Sequence, residues 1–567
     1  MNILNNYKMT FSFASWSLLL LSICLEYILF RGFVSHTIAT TYPPGFDQAY
    51  YLSISYWLHE NIIHSGLVAA LKKYQLISVS FLFPLQAAFF YFLFGASRLI
   101  ALSTHFFYFA LLQIIAFATL KKLTQRYLWG FIFIGMLLST ESFFLFGGAV
   151  DFRIDFSALC LYGIVICLIL RSQVFLQKKW VIAGAIAAAF LIAMRFLTVA
   201  YIFGVVLSLL FYWILMSLCS KPDALLRHRI KNVFLFSIII SIITLPILWI
   251  HKDLLYGYYI YGHVLGPEKY WRLKMVGITN IYNYFMFYPM AFIVLHLTSK
   301  TFLILAMVLF LLFGFYLEIK LTKKPVIYKL HDSNEIIFLL ITILVPLIVL
   351  TLDISKSPIV INIILIPFLL LVVMIYSRMY HTIFHYFTDR RSLLLKALAI
   401  LFIFEGAFHF AKETSESEFA QTYYDPSSQL AITQMVNDIG NYVTQAKWKS
   451  IYATTDKHTD FFISIPIFYY EMHGILFPMN IGYGAASLDF VKNREEGVNK
   501  VMQSDLFLAD TEQVIPNKFI LFDQSIHTFR PFLLAAARSH LILLKNYNLK
   551  HIKYEVYIKN QPLRASR

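Results

Sequence analysis

One pattern repeats through the first 410 residues: an apolar run of about twenty residues, a short polar loop, and another apolar run. In lipid the backbone of such a run must satisfy its own hydrogen bonds, so each predicts a membrane-spanning helix. About eleven candidate spans follow, centred on Leu20, Phe109, Ile134, Ile164, Ala187, Leu209, Ile240, Leu309, Leu344, Leu369 and Ile400. Composition agrees. The chain is 59% hydrophobic and 14% charged, against about 25% charged in soluble domains. The expected fold is a polytopic α-helical membrane protein.

A net charge of +16 would suit nucleic acid, but its distribution argues otherwise. Basic clusters follow every second span: Lys121, Lys122 and Arg126; Arg171, Lys178 and Lys179; Lys221, Arg227, Arg229 and Lys231; Lys320, Lys323, Lys324 and Lys329; Arg378, Arg390, Arg391 and Lys396. All then lie on one face, the cytoplasmic one by the positive-inside rule. The expectation is an N-in, C-out chain that binds membrane lipid and no nucleic acid. Cys24, Cys160, Cys167 and Cys219 fall in or beside apolar runs, which predicts small core residues rather than disulfides. The run from Phe11 to Phe30 lacks a convincing cleavage site and reads as a retained anchor.

Residues 33–98 then form a first outer loop. Its apolar stretch Leu76–Phe94 reads as a helix lying along the interface, because a crossing there would put Lys121, Lys122 and Arg126 outside. Residues Ile281–Leu297 read as a second interfacial piece. From residue 411 the composition turns polar, and residues 411–567 predict an extracytoplasmic α/β domain beyond a transmembrane module of residues 1–410. Strand patterns cover Ser450–Thr454, Asp505–Ala509, Lys518–Phe522 and Lys553–Ile558. Helical patterns cover Gln429–Val443 and Phe490–Met502.

Acidic residues at the outer ends of spans are the candidates for chemistry, since carboxylates near lipid are costly. Asp47 follows the turn Pro43-Pro44-Gly45 at the start of a helical stretch, where it could equally cap that helix. Asp151 and Asp155 are four apart after Gly147-Gly148. On a helix they would share a face, with Arg153 turned away. Arg195 lies between two spans on the outer side, suited to a phosphate or to snorkelling to the interface. Lys356, in Asp353-Ile354-Ser355-Lys356-Ser357-Pro358, would meet an anionic headgroup. The loop 251–275 is rich in tyrosine and contains His263, but no paired histidines suggest a metal site there.

The order of these parts resembles the GT-C superfamily of membrane glycosyltransferases, in particular the protein O-mannosyltransferases and the aminoarabinose transferases of lipid A. Asp47, in Phe46-Asp47-Gln48-Ala49-Tyr50-Tyr51, is similar to the first catalytic acid of that group. Asp155 is similar to the second, with Asp151 as the rival assignment. Arg195 falls where the group has a basic residue near the lipid phosphate. His263 resembles a loop histidine that binds metal in some members. The pattern departs in two places: Gln48 stands where many members have Glu, and Ser80-Phe81-Leu82-Phe83-Pro84-Leu85 lacks an acid before its proline.

The resemblance implies transfer of a sugar from a polyprenyl-phosphate donor to an acceptor hydroxyl of a glycan, lipid or protein. The site would lie on the outer face of a bacterial inner membrane, and the transfer would proceed with inversion. Asp47, Asp155 and Asp151 are the catalytic candidates. Arg153, Arg195, Lys356, His263 and Tyr50 are the substrate- and phosphate-binding ones. If a divalent metal takes part, His263 and Asp155 are its candidate ligands. A transporter or flippase of a lipid-linked sugar is the competing reading. It fits less well, since no internal repeat is visible and the acids sit at span ends rather than mid-membrane.

Overall fold

The computed structural model describes residues 2–41, 46–74, 80–145, 147–219, 224–265, 273, 276–296, 334–353, 356–383, 391–416, 426–448, 451–455, 459–475, 488, 491, 493–510, 521–549 and 552–560. Its first part is helical: α1 (Asn2–Phe33), α2 (Phe46–Ser65), α3 (Leu67–Tyr74), α4 (Leu82–Phe94), α5 (Arg98–Thr124), α6 (Leu128–Leu138), α7 (Ile154–Arg171), α8 (Lys178–Met194), α9 (Thr198–Cys219) and α10 (Ala224–Ile250). After these come α11 (Ile281–His296), α12 (Asn334–Leu352), α13 (Leu365–Ile383) and α14 (Arg391–Glu416).

Seven described segments are long and apolar enough to cross a membrane. The protein is a polytopic helical membrane protein. Ten of the eleven expected centres fall inside described helices; Leu309 lies outside the described residues. The segments around Ile134 and Ala187 form shorter helices of 11 and 17 residues. Exposed apolar side chains on α9 and α10, such as Leu207, Phe211, Phe234 and Ile242, face outward as lipid contact requires.

α7 is the hub. Every residue from Phe156 to Leu170 is buried, and α7 packs on α5, α8 and α13. A helix apolar on all sides belongs in the middle of a bundle. The α6–α14 crossing is held close by two glycines: a Cβ on Gly135 would lie 2.4 Å from the Phe402 backbone, and one on Gly406 would lie 2.3 Å from the Gly135 carbonyl oxygen.

α2 packs on α3 and α4, and α4 packs in turn on α5. Within the Leu76–Phe94 stretch, of which residues 76–79 lie outside the described residues, Leu82–Phe94 form the 13-residue α4, too short to cross about 30 Å of hydrocarbon. α11 is likewise short, at 16 residues.

The C-terminal part holds α15 (Pro426–Gln445), α16 (Thr459–His473), α17 (Arg494–Gln503) and α18 (Leu521–His540), with strands β1 (Ala453–Thr455), β2 (Leu506–Asp510), β3 (Ile542–Leu549) and β4 (Ile552–Ile558). The sheet order is β1-β2-β4-β3, parallel between β1 and β2 and antiparallel elsewhere. Alternation along β2 sends Leu506 and Leu508 toward α15 and α16, and Phe507 and Ala509 toward α17 and α18.

Three of the four expected strands form. Lys518–Phe522 does not: Leu521 and Phe522 open α18, and Lys518–Ile520 lie outside the described residues. The helix expected over Phe490–Met502 is the shorter α17, which starts where the Asn493 side chain accepts from the Glu496 amide. β3, α16 and α18 were not anticipated. Pro466 and Pro531 inside the two helices broke their apparent periodicity.

Candidate active site

Asp47 stands in the first turn of α2. Arg153 Nη1 donates to its Oδ2 at 3.2 Å. The same guanidinium reaches Asp151 Oδ2 through Nε at 2.7 Å. Two loops more than a hundred residues apart therefore meet through one arginine.

The geometry corrects the sequence reading of this cluster. α7 begins only at Ile154, and Arg153 is extended (φ −121°, ψ 158°). Asp151 and Asp155 thus do not share a helix face, and Arg153 is turned toward the acids rather than away. Asp151 is buried in the preceding turn. The Gly147 amide donates to its Oδ2 at 2.8 Å. That turn needs its glycines: Gly147 has φ +73°, and a Cβ on Gly148 would sit 2.6 Å from the Phe143 carbonyl oxygen. Burial pushes the Asp151 carboxyl up to about 6, against the pull of Arg153 and the Gly147 amide. His105 of α5 braces the turn from below, with Nε2 at 3.1 Å from the Asp151 carbonyl oxygen and Nδ1 at 2.8 Å from Ser157 Oγ.

Asp155, in the first turn of α7, is bound by the Arg195 guanidinium. Arg195 is the extended residue that ends α8. It is held against the carboxylate and does not snorkel to the surface. Burial opposes the charges of Arg153 and Arg195, but their carboxylate neighbours outweigh it and hold both above the ordinary arginine value.

Lys356 is 5% exposed. Its ammonium donates to the Leu350 and Thr351 carbonyls at 2.9 and 2.6 Å, at the C-terminal end of α12. It also lies over the rings of Tyr284 (4.1 Å) and Tyr288 (5.1 Å). Burial brings its pKa down to about 8, with Asp353 pulling the other way.

Asp47, Arg153, Asp155, Arg195 and Lys356 all line one cavity of about 350 Å³, with Tyr51, Tyr258, Tyr259 and Asp353. Asp151 is not on that wall; it stands behind Arg153. Tyr50 is also outside the lining. Its phenol is pushed up to about 12 by burial and by Asp47, and the cavity takes Tyr51, one turn beyond Asp47. His263 belongs to the π-helix Tyr256–Leu265, but its side chain is outside the described residues. The sequence pointed to Tyr258 and Tyr259 only as loop aromatics suited to interface anchoring or sugar stacking, and gave no role to Tyr51, Asp353 or His105. The i, i+4 spacing from Asp47 was the available signal for Tyr51; for the others only the tertiary fold brings them in.

Two of the three carboxylates on this cavity, Asp47 and Asp155, are engaged by guanidinium groups, and three cationic side chains share the wall, a lining that disfavours a divalent metal. Among the described residues, the group with metal-ligand spacing is Glu141, His409 and Glu413, none of which lines the cavity.

The chain shares its overall fold with two solved structures. The structure superposes on crystal structures of ArnT from Cupriavidus metallidurans, one in the apo state and one bound to undecaprenyl phosphate. For the apo form the TM-score is 0.54 at 11% identity, covering 98% of this chain and 100% of that one. For the lipid-bound form the values are 0.54 and 11%, covering 97% and 99%. No family model matches the sequence, and no curated protein matches it.

Proposed function

We propose that the chain is a glycosyltransferase that moves a sugar from a polyprenyl-phosphate donor to an acceptor hydroxyl on the outer face of the membrane. The observation that carries this is the convergence of Asp47, Asp155, Arg195 and Lys356 on one cavity. The fold shared with ArnT supports it, as does the undecaprenyl phosphate bound in one ArnT structure. The cavity volume lies in the ordinary range for small-ligand sites, about 300–1,000 Å³.

Asp47, half exposed at 50%, acts as general base. Arg153 fixes the orientation of its carboxylate. The acceptor oxygen attacks the anomeric carbon, its proton passes to Asp47, and the bond from that carbon to the phosphate oxygen breaks. Polyprenyl phosphate departs as an anion, with inversion at the sugar. Arg195 and Lys356 bind that phosphate and stabilise the charge it gains. Asp155, with Asp353 nearby, orients hydroxyls of the sugar or acceptor. Asp151 holds Arg153 from behind. No step runs through a metal.

The basic clusters support an N-in, C-out topology, with residues 1–410 as the transmembrane module and 411–567 as an outer domain. The aromatic and apolar α4 and α11 are read as interfacial.

The test is purified protein in detergent with a polyprenyl-phosphate sugar and a hydroxyl acceptor. Release of free polyprenyl phosphate coupled to glycosylated acceptor is the expected result. Movement of intact donor across a vesicle membrane, with no bond cleaved, would overturn the reading in favour of a transporter.

A further inference from the structure

Arg98 opens α5 and is 1% exposed. Four acceptors surround its guanidinium. Nε donates to Glu471 Oε1 at 3.0 Å, and Nη2 donates to Glu471 Oε2. Nη1 donates to the carbonyls of Ile38 at 2.8 Å and Thr41 at 2.7 Å. Glu471 comes from α16, in the C-terminal part, and its side chain is 8% exposed. Its Oε1 also accepts from the Tyr56 hydroxyl of α2 at 2.9 Å.

The neighbours repeat the theme. Tyr470 donates to Glu60 of α2 at 2.7 Å, and its ring lies 4.7 Å from that of Tyr56. Gln429 of α15 donates to the Thr40 carbonyl at 3.2 Å. The C-terminal part therefore meets the chain on both sides of Asp47: before it, directly at Thr40 and through Arg98 at Ile38 and Thr41, and beyond it at Tyr56 and Glu60 on the same helix.

We propose that Arg98 and Glu471 are positioning residues, through which the C-terminal part sets the place of Asp47 against Arg153 and the cavity. This rests on the reading of Asp47 as the base. An arginine is required because its planar fork satisfies a bidentate carboxylate and two carbonyls at once, which an ammonium with three protons cannot do. The carboxylate matters because it joins α16, α5 and α2 at one point. Neither residue lines the cavity, so both act through Asp47 rather than on substrate.

The experiment compares Glu471→Gln, Arg98→Lys and the exchanged pair R98E/E471R in the full-length protein. A base displaced by about 1 Å loses about a hundredfold in rate. The expected result for Glu471→Gln and Arg98→Lys is a kcat lower by about ten- to a hundredfold per folded molecule, with donor KM within about twofold. The exchanged pair keeps an ion pair but turns a carboxylate toward the Ile38 and Thr41 carbonyls. It should regain melting temperature and not kcat. Recovery of both, or an unchanged kcat in Glu471→Gln, would overturn the proposal.

If the exchanged pair does not fold, hydrogen exchange decides. Backbone amides of residues 34–41 and 46–56 should exchange faster in Glu471→Gln, while 147–160 keep their protection. Equal exchange would overturn it. That arm needs no turnover, so it reads the clamp even if the wild-type protein transfers no sugar.

Discussion

Two arginine–carboxylate sites stand near the same end of the bundle, and they use the same chemistry in opposite ways. Arg98 and Glu471 are sealed, 1% and 8% exposed. Arg153 and Asp47 are not: the aspartate is 50% exposed and opens on the cavity. A sealed pair has already lost its water and holds its geometry, so breaking one partner strands a buried charge. A pair with one wet member gains little stability from its partner, and that member remains within reach of substrate. In the proposed mechanism, rigid placement falls to the first site and proton transfer to the second.

The largest effect tests the exposed pair. Asp47→Asn should lower kcat by about a thousandfold, the middle of the range for general bases. Its melting temperature should hold, because a half-exposed pair contributes at most about 1 kcal/mol. Turnover close to wild type would remove Asp47 from the mechanism.

Glu471→Ala should behave the other way. Loss of the buried carboxylate costs about 3–5 kcal/mol, read as a clear drop in melting temperature of the purified protein. If Asp47→Asn proved the more destabilising of the two, the contrast between the sites would collapse.

Arg195→Ala comes next. A hydrogen bond to a charged group contributes about 1.5–3 kcal/mol, so donor KM should rise roughly ten- to a hundredfold by that measure. Donor affinity equal to wild type would assign Arg195 to the stability of Asp155 alone.

The smallest effect is a shift in pH. Lys356 titrates near 8, and the protonated form is the one that attracts phosphate. Donor kcat/KM should therefore fall as pH rises through about 8. Lys356→Arg stays protonated and should move that alkaline limb upward; an unmoved limb would assign it to another group.

Much of this was legible in the chain. Long apolar runs specify helices because lipid offers no partner to the backbone, and ten expected centres fall in described helices. Asp47, Asp155, Arg195 and Lys356 were named from loop position, and they line one cavity. The reading of Asp151-Phe152-Arg153-Ile154-Asp155 failed because it assumed a helix. Gly147 and Gly148 permit a tight turn first, and that turn re-aims Arg153.

The sequence by itself determined the helical membrane architecture and which residue types stand at the ends of the spans. Both follow from local constraints: hydrophobic length, backbone satisfaction and the cost of charge in lipid. Only the tertiary structure decided which charges meet. Arg153 chose Asp47 and Asp151, Arg195 chose Asp155, and Arg98 chose a glutamate more than three hundred residues away. Such pairings depend on how helix ends are packed side by side, and no period or spacing along the chain encodes that distance.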